Sequence, residues 1–346
     1  MSEDDVVTPQ NNFFLLGQEE AERVILDSYN NHTLHNSWLI SGEKGIGKAT
    51  FAYKFARFLL DPNRSEKSLN TNPDSDSNRL ISSNSHPDLK VIERDYIETD
   101  RKKILKAIKE GEAMSENELQ NLKKSAFIRV DDVRTINEFM AKKSSQDGWR
   151  VVIVDSIDDM NTAAANALLK ILEEPPVKSV IILISHNIGK LLPTIKSRCS
   201  KLVLKPLDEN DLICLLRRYR PNLDEKEIKG IAHIASGSIG KALAYADGGA
   251  LNMYDGLQKI VFSGVNFKLG DLLDWVGEAV SSEENYNLAQ ELILKFYSDN
   301  IVSSRNVEET ALSWENAVKC FRLTSSLNMD KKQALINVMS QLCKIN

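Results

Sequence analysis

The stretch of sequence that decides the fold runs from Arg150 to Pro176 and reads RVVIVDSIDDMNTAAANALLKILEEPP. It begins with four apolar β-forming residues, positions 151–154, and these end on Asp155. A short continuous run of this kind is typical of a strand that is buried on both faces, as in a parallel sheet. Asn161 is a suitable N-cap for the helix that follows, which carries apolar residues at helical spacing and stops at two prolines. The stretch therefore predicts a buried strand, an acidic turn and a helix.

A glycine-rich loop lies upstream in the same kind of setting. The segment SGEKGIGKAT, residues 41–50, follows a short apolar strand and precedes a helix rich in phenylalanine. Within it Gly42, Gly47 and Lys48 fit the pattern G-x-x-x-x-G-K, and Gly45 is a third glycine. Glycines let backbone amides curl around a phosphate, and the lysine neutralises its charge. The sequence therefore predicts a phosphate-binding loop, with Asp155, at the end of the buried strand, as a candidate metal-ligating carboxylate.

Two residues that ATP hydrolysis requires are absent from their expected positions. The position after the loop lysine is Ala49, where a hydroxyl would ligate magnesium. Thr50 stands one residue late, and on a helix this turns it by about 100°. Ser156 follows Asp155 where a catalytic glutamate is typical. The pattern indicates nucleotide binding without hydrolysis, or no binding at all.

Alternation of strand and helix over residues 38–205 predicts an α/β parallel sheet. Further strands are expected at Val180–Ile184 and Lys201–Leu204, and a helix at Val130–Met140. Beyond Pro206 only helical patterns appear. We therefore expect three domains: an α/β P-loop domain at 1–205, a small helical lid domain at 206–249 and a helical bundle at 250–346.

A surface insertion is expected inside the first domain, at about residues 61–125. Its first part, Asp61–Ser85, is rich in Ser, Asn, Asp and Pro and predicts loop or disorder. Its second part, Arg94–Ser125, is highly charged with weak helical periodicity, for example at Ile104 and Leu119. The sequence does not indicate what this insertion does.

Composition excludes several functional classes. The 346 residues carry a net charge of −5, so the chain as a whole is not a basic nucleic-acid-binding surface. Its four cysteines are widely spaced and indicate neither a zinc site nor a disulfide framework. No apolar run is long enough to span a membrane, and the amino terminus is acidic. These features predict a cytoplasmic protein with no membrane partner and no bound metal.

Several charged residues have more than one interpretation. Glu173 and Glu174 lie in the last turn of their helix, where carboxylates oppose the helix dipole at a cost of about 0.3–1 kcal/mol each. They are either solvated or face a basic group. Asp158 and Asp159 are expected to cap the helix that follows them. Arg198, taken alone, is expected to be a surface charge.

Together these residues resemble the clamp-loader branch of the AAA+ ATPases over roughly residues 13–250. The strongest match is NALLKILEEPP, Asn166–Pro176, and Ser197-Arg198-Cys199 is similar to the family's Ser-Arg-Cys motif. Three weaker matches are His35 with Trp38-Leu39, the tripeptide His86-Pro87-Asp88, and the segment from Gly237 to Leu243. The family's zinc module, which needs four cysteines after the phosphate loop, has no counterpart here. The resemblance therefore implies no zinc.

The resemblance implies a role for Arg198, whose counterpart reaches into the ATP site of an adjacent subunit. It also places sensor residues at positions where this chain has Ser185-His186 and Gly240, with Lys241 only adjacent. A chain that lacks the hydroxyl, the glutamate and both sensors, yet keeps the arginine, is expected to donate an arginine finger without hydrolysing ATP. Such a chain is not catalytic by itself, although the resemblance makes it part of a DNA-directed DNA polymerase, or nucleotidyltransferase, holoenzyme.

The implied partners are other clamp-loader subunits, gamma/tau and delta, in a hetero-pentamer held together by the residues from about 250 as a collar. The assembly would open a sliding clamp and place it on primed DNA. Glu173 and Glu174 become candidates for the subunit interface, and ATP or ADP a candidate ligand of a degenerate pocket. The alternative is an active AAA+ motor, either a gamma/tau-like subunit or another DNA-remodelling ATPase. A stand-alone P-loop kinase is disfavoured because the helical carboxyl-terminal third offers no acceptor site.

Overall fold

The computed structural model describes residues 7–110, 122–145, 148–264, 268–301 and 306–345. The chain divides into two compact units, Met1–Asp211 and Leu212–Asn346. The first unit contains all the strands of the described residues, and the second is helical.

The first unit is built on a five-stranded parallel sheet with the order β2-β3-β4-β1-β5. Its strands are β1 Ser37–Ser41, β2 Leu89–Glu93, β3 Arg150–Asp155, β4 Ser179–Ser185 and β5 Ser200–Val203. The three central strands are buried over almost their whole length. The predicted parallel sheet is therefore confirmed. Because all strands run the same way, the loops after β1, β3 and β4 leave from one edge of the sheet, where ligands of such sheets bind.

Helices cover both faces of this sheet, because alternate residues of each strand point to opposite sides. The helices that lie wholly in the first unit are α1 Glu19–Asn30, α2 Lys48–Leu60, α3 Asp76–Ser82, α4 Glu98–Glu110, α5 Val130–Ala141, α6 Thr162–Glu173 and α7 Pro193–Lys196. All of them except α4 contribute described residues to the two core clusters. One core cluster joins Trp38 and Ile40 to the phenylalanines of α2. The other joins Leu39 to α5 and α6. The predicted helix at 130–140 is confirmed, with Val133 and Ile136 fully buried.

The polar segment 61–85 is more ordered than its composition predicts. It contains α3, which begins after a Ser75 side chain that accepts a hydrogen bond from the Asn78 amide. Asn78 is fully buried, and its side-chain nitrogen donates to Thr71 Oγ1 and to the Asn72 carbonyl. Ile81 of the same helix is buried as well. The prediction of loop or disorder throughout this segment is therefore wrong: internal hydrogen bonds of polar side chains take the place of a large apolar face.

The second part of the expected insertion is partly described. Helix α4 confirms the helical periodicity around Ile104. Tyr96, just before this helix, bridges to Lys124, and Asp100, in its first turn and buried, accepts a hydrogen bond from the Lys123 amide at 2.9 Å. The expected helical position at Leu119 lies outside the described residues. The two ends of this second part, Arg94–Ser125, are therefore joined to each other.

The second unit consists of helices, as predicted from the patterns beyond Pro206. They are α8 Glu209–Tyr219, which crosses the boundary between the units, then α9 Glu225–Ile234, α10 Ile239–Gly248, α11 Ala250–Phe262, α12 Leu269–Ala279, α13 Glu283–Asn300, α14 Val307–Leu327 and α15 Lys331–Ile345. The division of this region into a lid and a collar at residue 249, and the boundary of the first domain at residue 205, stay predictions.

Candidate functional site

The predicted phosphate loop joins β1 to α2 at the carboxyl edge of the sheet. Gly42, Gly45 and Gly47 have φ angles of 146°, 83° and 98°, in the region that side chains disfavour. At Gly42 space adds a second requirement, because a Cβ there would lie 2.7 Å from the carbonyl oxygen of Leu204. Gly47 is the N-cap of α2, so the loop leads directly into a helix amino terminus. This is the backbone form that phosphate-binding loops use.

Lys48 is the first residue of α2, directly after the loop, and is almost fully buried. Its Nζ donates hydrogen bonds to the carbonyl oxygens of Gly42, at 2.8 Å, and Glu43, at 2.5 Å. Burial lowers the pKa of Lys48 to about 8, and the nearby carboxylates of Asp155 and Asp158 oppose that shift. The lysine is thus a cation held by the loop at a point where it can neutralise a phosphate.

Asp155 ends β3 and is directly opposite Glu93, the last residue of β2, in the sheet register. Burial raises the pKa of the Asp155 carboxyl, Glu93 raises it further, and Lys48 opposes the rise. Glu93 itself pairs with Lys124 of the insertion, with 3.1 Å between Oε2 and Nζ. Sequence reasoning missed Glu93, because finding it requires recognising the short, half-exposed strand β2.

Ala49 and Ser156 occupy the two positions at which the sequence lacks a hydroxyl and a glutamate. Ala49, in the first turn of α2, offers no oxygen to a metal. Ser156, after β3, is buried, and its hydroxyl has no hydrogen-bond partner among the described residues. The backbone of the loop thus has the form that phosphate-binding loops use, whereas neither position 49 nor position 156 supplies the group that ATP hydrolysis requires.

Asp158 does not cap the following helix, in contrast to the prediction from the sequence. Its Oδ1 accepts hydrogen bonds from Ser185 Oγ, at 3.0 Å, and from the Asn187 amide, at 3.1 Å. Its Oδ2 accepts one from the His186 amide at 2.6 Å. The carboxylate therefore fixes the loop after β4, which is the segment that resembles the first sensor. The Asp158 carboxylate accepts these three hydrogen bonds from the segment after β4 instead of a hydrogen bond from the amino terminus of the following helix.

Asp159 also points elsewhere: its Oδ2 lies 3.3 Å from Nε of Arg94. The cap of α6 is Asn161, whose side chain accepts a hydrogen bond from the Ala164 amide at 2.9 Å. The prediction that Asn161 is the N-cap is confirmed, and the capping role predicted for the two aspartates is wrong.

Arg198 lies two residues after the one-turn helix α7 and is half exposed. Its Nη1 donates to the Thr194 carbonyl at 3.0 Å, and its Nη2 lies 2.7 Å from Oε1 of Glu173 at the end of α6. Cys199 beside it is buried and anchors the segment. Glu173 therefore meets a basic group of its own chain, while Glu174 is exposed and has no hydrogen-bond or ion-pair partner among the described residues.

In the helical unit, Lys241 stands next to Gly240, the position of the second sensor in the resemblance. Its Nζ lies 2.9 Å from Oε2 of Glu291 on α13, and the same oxygen accepts a hydrogen bond from the Tyr245 hydroxyl at 2.7 Å. Burial and this carboxylate raise the pKa of Tyr245. Lys241 is thus part of a polar contact inside the helical unit.

Two arginines at the end of α8, Arg217 within the helix and Arg220 directly after it, are also paired. Arg217 forms a two-point ion pair with Glu225, and Arg220 forms one with Asp247. Within the described part of the chain, no group of three or more His, Cys, Asp or Glu side chains is placed to hold a metal ion. Its helices also include none that is long and apolar enough to cross a membrane.

A parallel sheet whose first strand leads through a glycine loop into a helix, with a carboxylate ending β3, one strand away from β1 in the sheet, defines a P-loop α/β protein. The family model described as "DNA polymerase III, delta subunit" matches residues 17–208, more than half of the chain. The chain therefore belongs to this family, the gamma and delta-prime type of DNA polymerase III clamp-loader subunit. The predicted AAA+ P-loop class, followed by helical segments, is confirmed with it.

Individual relatives divide between two kinds of subunit. The DNA polymerase III subunit gamma of Buchnera aphidicola subsp. Schizaphis graminum is 25% identical over 313 residues, which are 89% of this chain and 74% of the relative. The subunit delta' of Pseudomonas aeruginosa is 33% identical over 164 residues, 47% of this chain and 41% of the relative. Among solved structures, a DNA polymerase III gamma subunit-related protein of Thermotoga maritima is 21% identical, with 95% of this chain and 99% of that chain covered and a TM-score of 0.40.

Proposed function

We propose that this chain is a delta-prime-like subunit of the DNA polymerase III clamp loader, a stator that hydrolyses little or no ATP and donates Arg198 to the ATP site of a neighbouring gamma/tau subunit. The observation that carries the proposal is the combination of an intact phosphate loop, an alanine at position 49 and a half-exposed Arg198. Each feature alone is compatible with several roles, whereas the combination fits a subunit that completes another subunit's site.

The chemistry of Arg198 suits that role. A guanidinium offered in trans stabilises the charge that develops on a transferred phosphoryl group, and is worth about 10³–10⁵ in rate in other NTPases. The loss of the hydroxyl at position 49 removes a magnesium ligand from the chain's own site. Ser156 cannot orient a water molecule as a carboxylate does. The chain's own site therefore supports nucleotide binding better than turnover.

The remaining parts of the proposal follow from the family. The degenerate pocket binds ATP or ADP through the glycine loop and Lys48, without magnesium held at position 49 and without zinc. The partners are gamma/tau and delta subunits in a hetero-pentamer, in which the helices from about residue 250 form the collar. The complex acts on the sliding clamp and primed DNA in the cytoplasm, and polymerase chemistry belongs to the holoenzyme.

A second candidate is an active gamma-type motor, favoured by one observation: matches to gamma or tau/gamma subunits cover 66% to 97% of this chain, whereas matches to delta' subunits cover 21% to 51%. The motor predicts magnesium-dependent ATP turnover by the purified chain, which Lys48→Ala would abolish. The stator predicts negligible turnover with either residue.

The central experiment is a reconstituted loader that contains Arg198→Ala. The clamp- and DNA-stimulated ATPase rate should fall while assembly, measured by sedimentation velocity, is preserved. The matched control is Arg217→Ala, which removes another exposed arginine from a 2.7 Å ion pair and should leave the rate unchanged. An unchanged rate with Arg198→Ala would remove the arginine finger from the proposal.

A further inference from the structure

We infer that Glu173 is a positioning residue for Arg198: it holds the guanidinium in the orientation in which that group meets the phosphate of a neighbouring nucleotide. The inference rests on the proposed function, because it assigns Glu173 a part in the same interface. It differs from the expectation drawn from the sequence, in which Glu173 itself faced the neighbouring subunit.

The two ends of the guanidinium are held by different elements. Nη1 donates to the Thr194 carbonyl of α7, and Nη2 donates to the Glu173 carboxylate at the end of α6. Two hydrogen bonds to separate acceptors fix the plane of the group and not only its location. A guanidinium has five N–H bonds. Three of them have no acceptor among the described residues, and these remain to bind an anion.

The chain segments that carry Glu173 and Arg198 are both anchored in the core. On the Glu173 side, Ile171 and Leu172 are buried in the cluster beneath the sheet. On the Arg198 side, Ile195 and Cys199 are buried in the same cluster, and the Arg198 amide donates to the Ile195 carbonyl at 3.1 Å. The distance between the carboxylate and the arginine is therefore set by the packing of α6 against α7, and not by two independent surface side chains.

Stability alone does not account for the pair. Glu173 is the last residue of α6, where its charge opposes the helix dipole, and the ion pair is exposed, with 35% of the Arg198 side chain and 49% of the Glu173 side chain accessible. The penalty from the dipole and the gain from an exposed ion pair are of similar size and opposite sign. The pair does restrict a long side chain that has several rotamers. An arginine ordered beforehand loses less freedom when a phosphate engages it.

Two other roles for Glu173 predict different effects on the ATPase kinetics when the carboxylate is removed. If the carboxylate competed with the phosphate for Arg198, its removal would raise the ATPase rate or lower the KM for ATP. If the pair served stability alone, its removal would change the melting temperature and neither kinetic constant. A positioning role predicts a lower kcat with an unchanged KM, because the contact is used in the transition state.

The test uses the reconstituted loader with Glu173→Gln, which keeps the shape of the side chain and removes its charge. We expect the stimulated kcat to fall roughly two- to fivefold, the range that an exposed ion pair can supply, with an unchanged KM for ATP. Glu225→Gln, which breaks the matched pair with Arg217, should leave both constants unchanged. In an Arg198→Ala background, Glu173→Gln should have no further effect.

The outcomes separate the inference from the function on which it rests. If Arg198→Ala lowers the rate and Glu173→Gln leaves it unchanged or raises it, the positioning role is overturned and the arginine finger stands. If Arg198→Ala has no effect, the finger itself fails. A loss of assembly with Glu173→Gln but not with Glu225→Gln would also overturn the inference, because it would make Glu173 a subunit contact.

Discussion

Glu173 and Arg198 form an ion pair within one chain, with 2.7 Å between Oε1 and Nη2. The two residues are 25 positions apart and lie on separate elements, at the end of α6 and after α7. The sequence alone made each residue a separate candidate for contact with a neighbouring subunit. Because they contact each other, a substitution of either residue changes the environment of both, and their effects are not expected to add.

Exchanging the two residues tests whether the location of the guanidinium matters. In Glu173→Arg/Arg198→Glu the opposite charges remain, so the free energy of unfolding should stay within about 1 kcal/mol of the original value, the scale of an exposed pair. The stimulated ATPase rate should remain as low as with Arg198→Ala, because the guanidinium now starts from α6. Urea unfolding and the steady-state rate measure the two effects, and a restored rate would contradict the assigned position.

The main features of the α/β unit can be predicted from the sequence because they depend on local patterns. The continuous apolar run before Asp155 predicts β3, and the structure has that strand at Arg150–Asp155. The glycine spacing predicts the loop, and the positive φ angles of Gly42 and Gly47 agree with it. Asn161 is recognised as a cap because its hydrogen bond spans only three residues.

The features that the sequence did not predict depend on distant partners or lack an apolar pattern. β2 is half exposed and ends on Glu93, so no apolar run marks it. Asp158 has the sequence position of a cap, but its acceptor oxygens bind donors 27 to 29 residues away. Helix α3 is held by hydrogen bonds of Asn78 within its own segment, and the polar composition of that segment is typical of disorder.

Asp158 should contribute more to stability than Asp159, although the two are adjacent and equally charged. Asp158→Ala leaves the Ser185 hydroxyl and two backbone amides without their acceptor, at an expected cost of about 1.5–3 kcal/mol. Asp159→Ala breaks one exposed contact with Arg94 and should cost less than about 1 kcal/mol. Urea unfolding curves of the two variants provide the comparison. Equal shifts of the unfolding midpoint would show that the hydrogen bonds of Asp158 after β4 contribute no more to stability than the contact between Asp159 and Arg94.

The shifted pKa of Lys48 predicts that the proposed nucleotide binding depends on pH. Burial lowers the pKa from its usual 10.5 to about 8, so the lysine loses its charge as pH rises through 8. Only the charged form neutralises a phosphate, and the affinity for ADP should therefore fall above pH 8, approaching roughly tenfold per pH unit. Titration of a fluorescent ADP analogue between pH 7 and pH 9.5 measures the effect.

The same shift determines how Lys48 affects stability. An unfolded chain keeps this lysine protonated up to about pH 10.5, whereas the folded chain releases the proton near pH 8. Between these values the unfolded state binds more protons, so the contribution of Lys48 to stability rises with pH. Lys48→Met, which cannot ionise, should lack this dependence and bind ADP weakly at every pH. An ADP affinity that is constant across the range in the unaltered chain would contradict the assigned pKa.

Restoring the missing hydroxyl tests whether its absence prevents magnesium from strengthening ADP binding at the chain's own proposed site. Ala49→Ser places an oxygen directly after Lys48 in the first turn of α2, where a magnesium ligand is expected. Magnesium should then strengthen ADP binding by roughly tenfold, an increase that the unaltered chain should not show.

Thr50→Ala is the matched control: Thr50 is turned about 100° away on the helix, so its hydroxyl should not contribute. Calorimetric titration with and without magnesium compares the three chains. If the unaltered chain already responds to magnesium and Thr50→Ala abolishes the response, then Thr50 supplies the ligand, and the active motor becomes the better assignment.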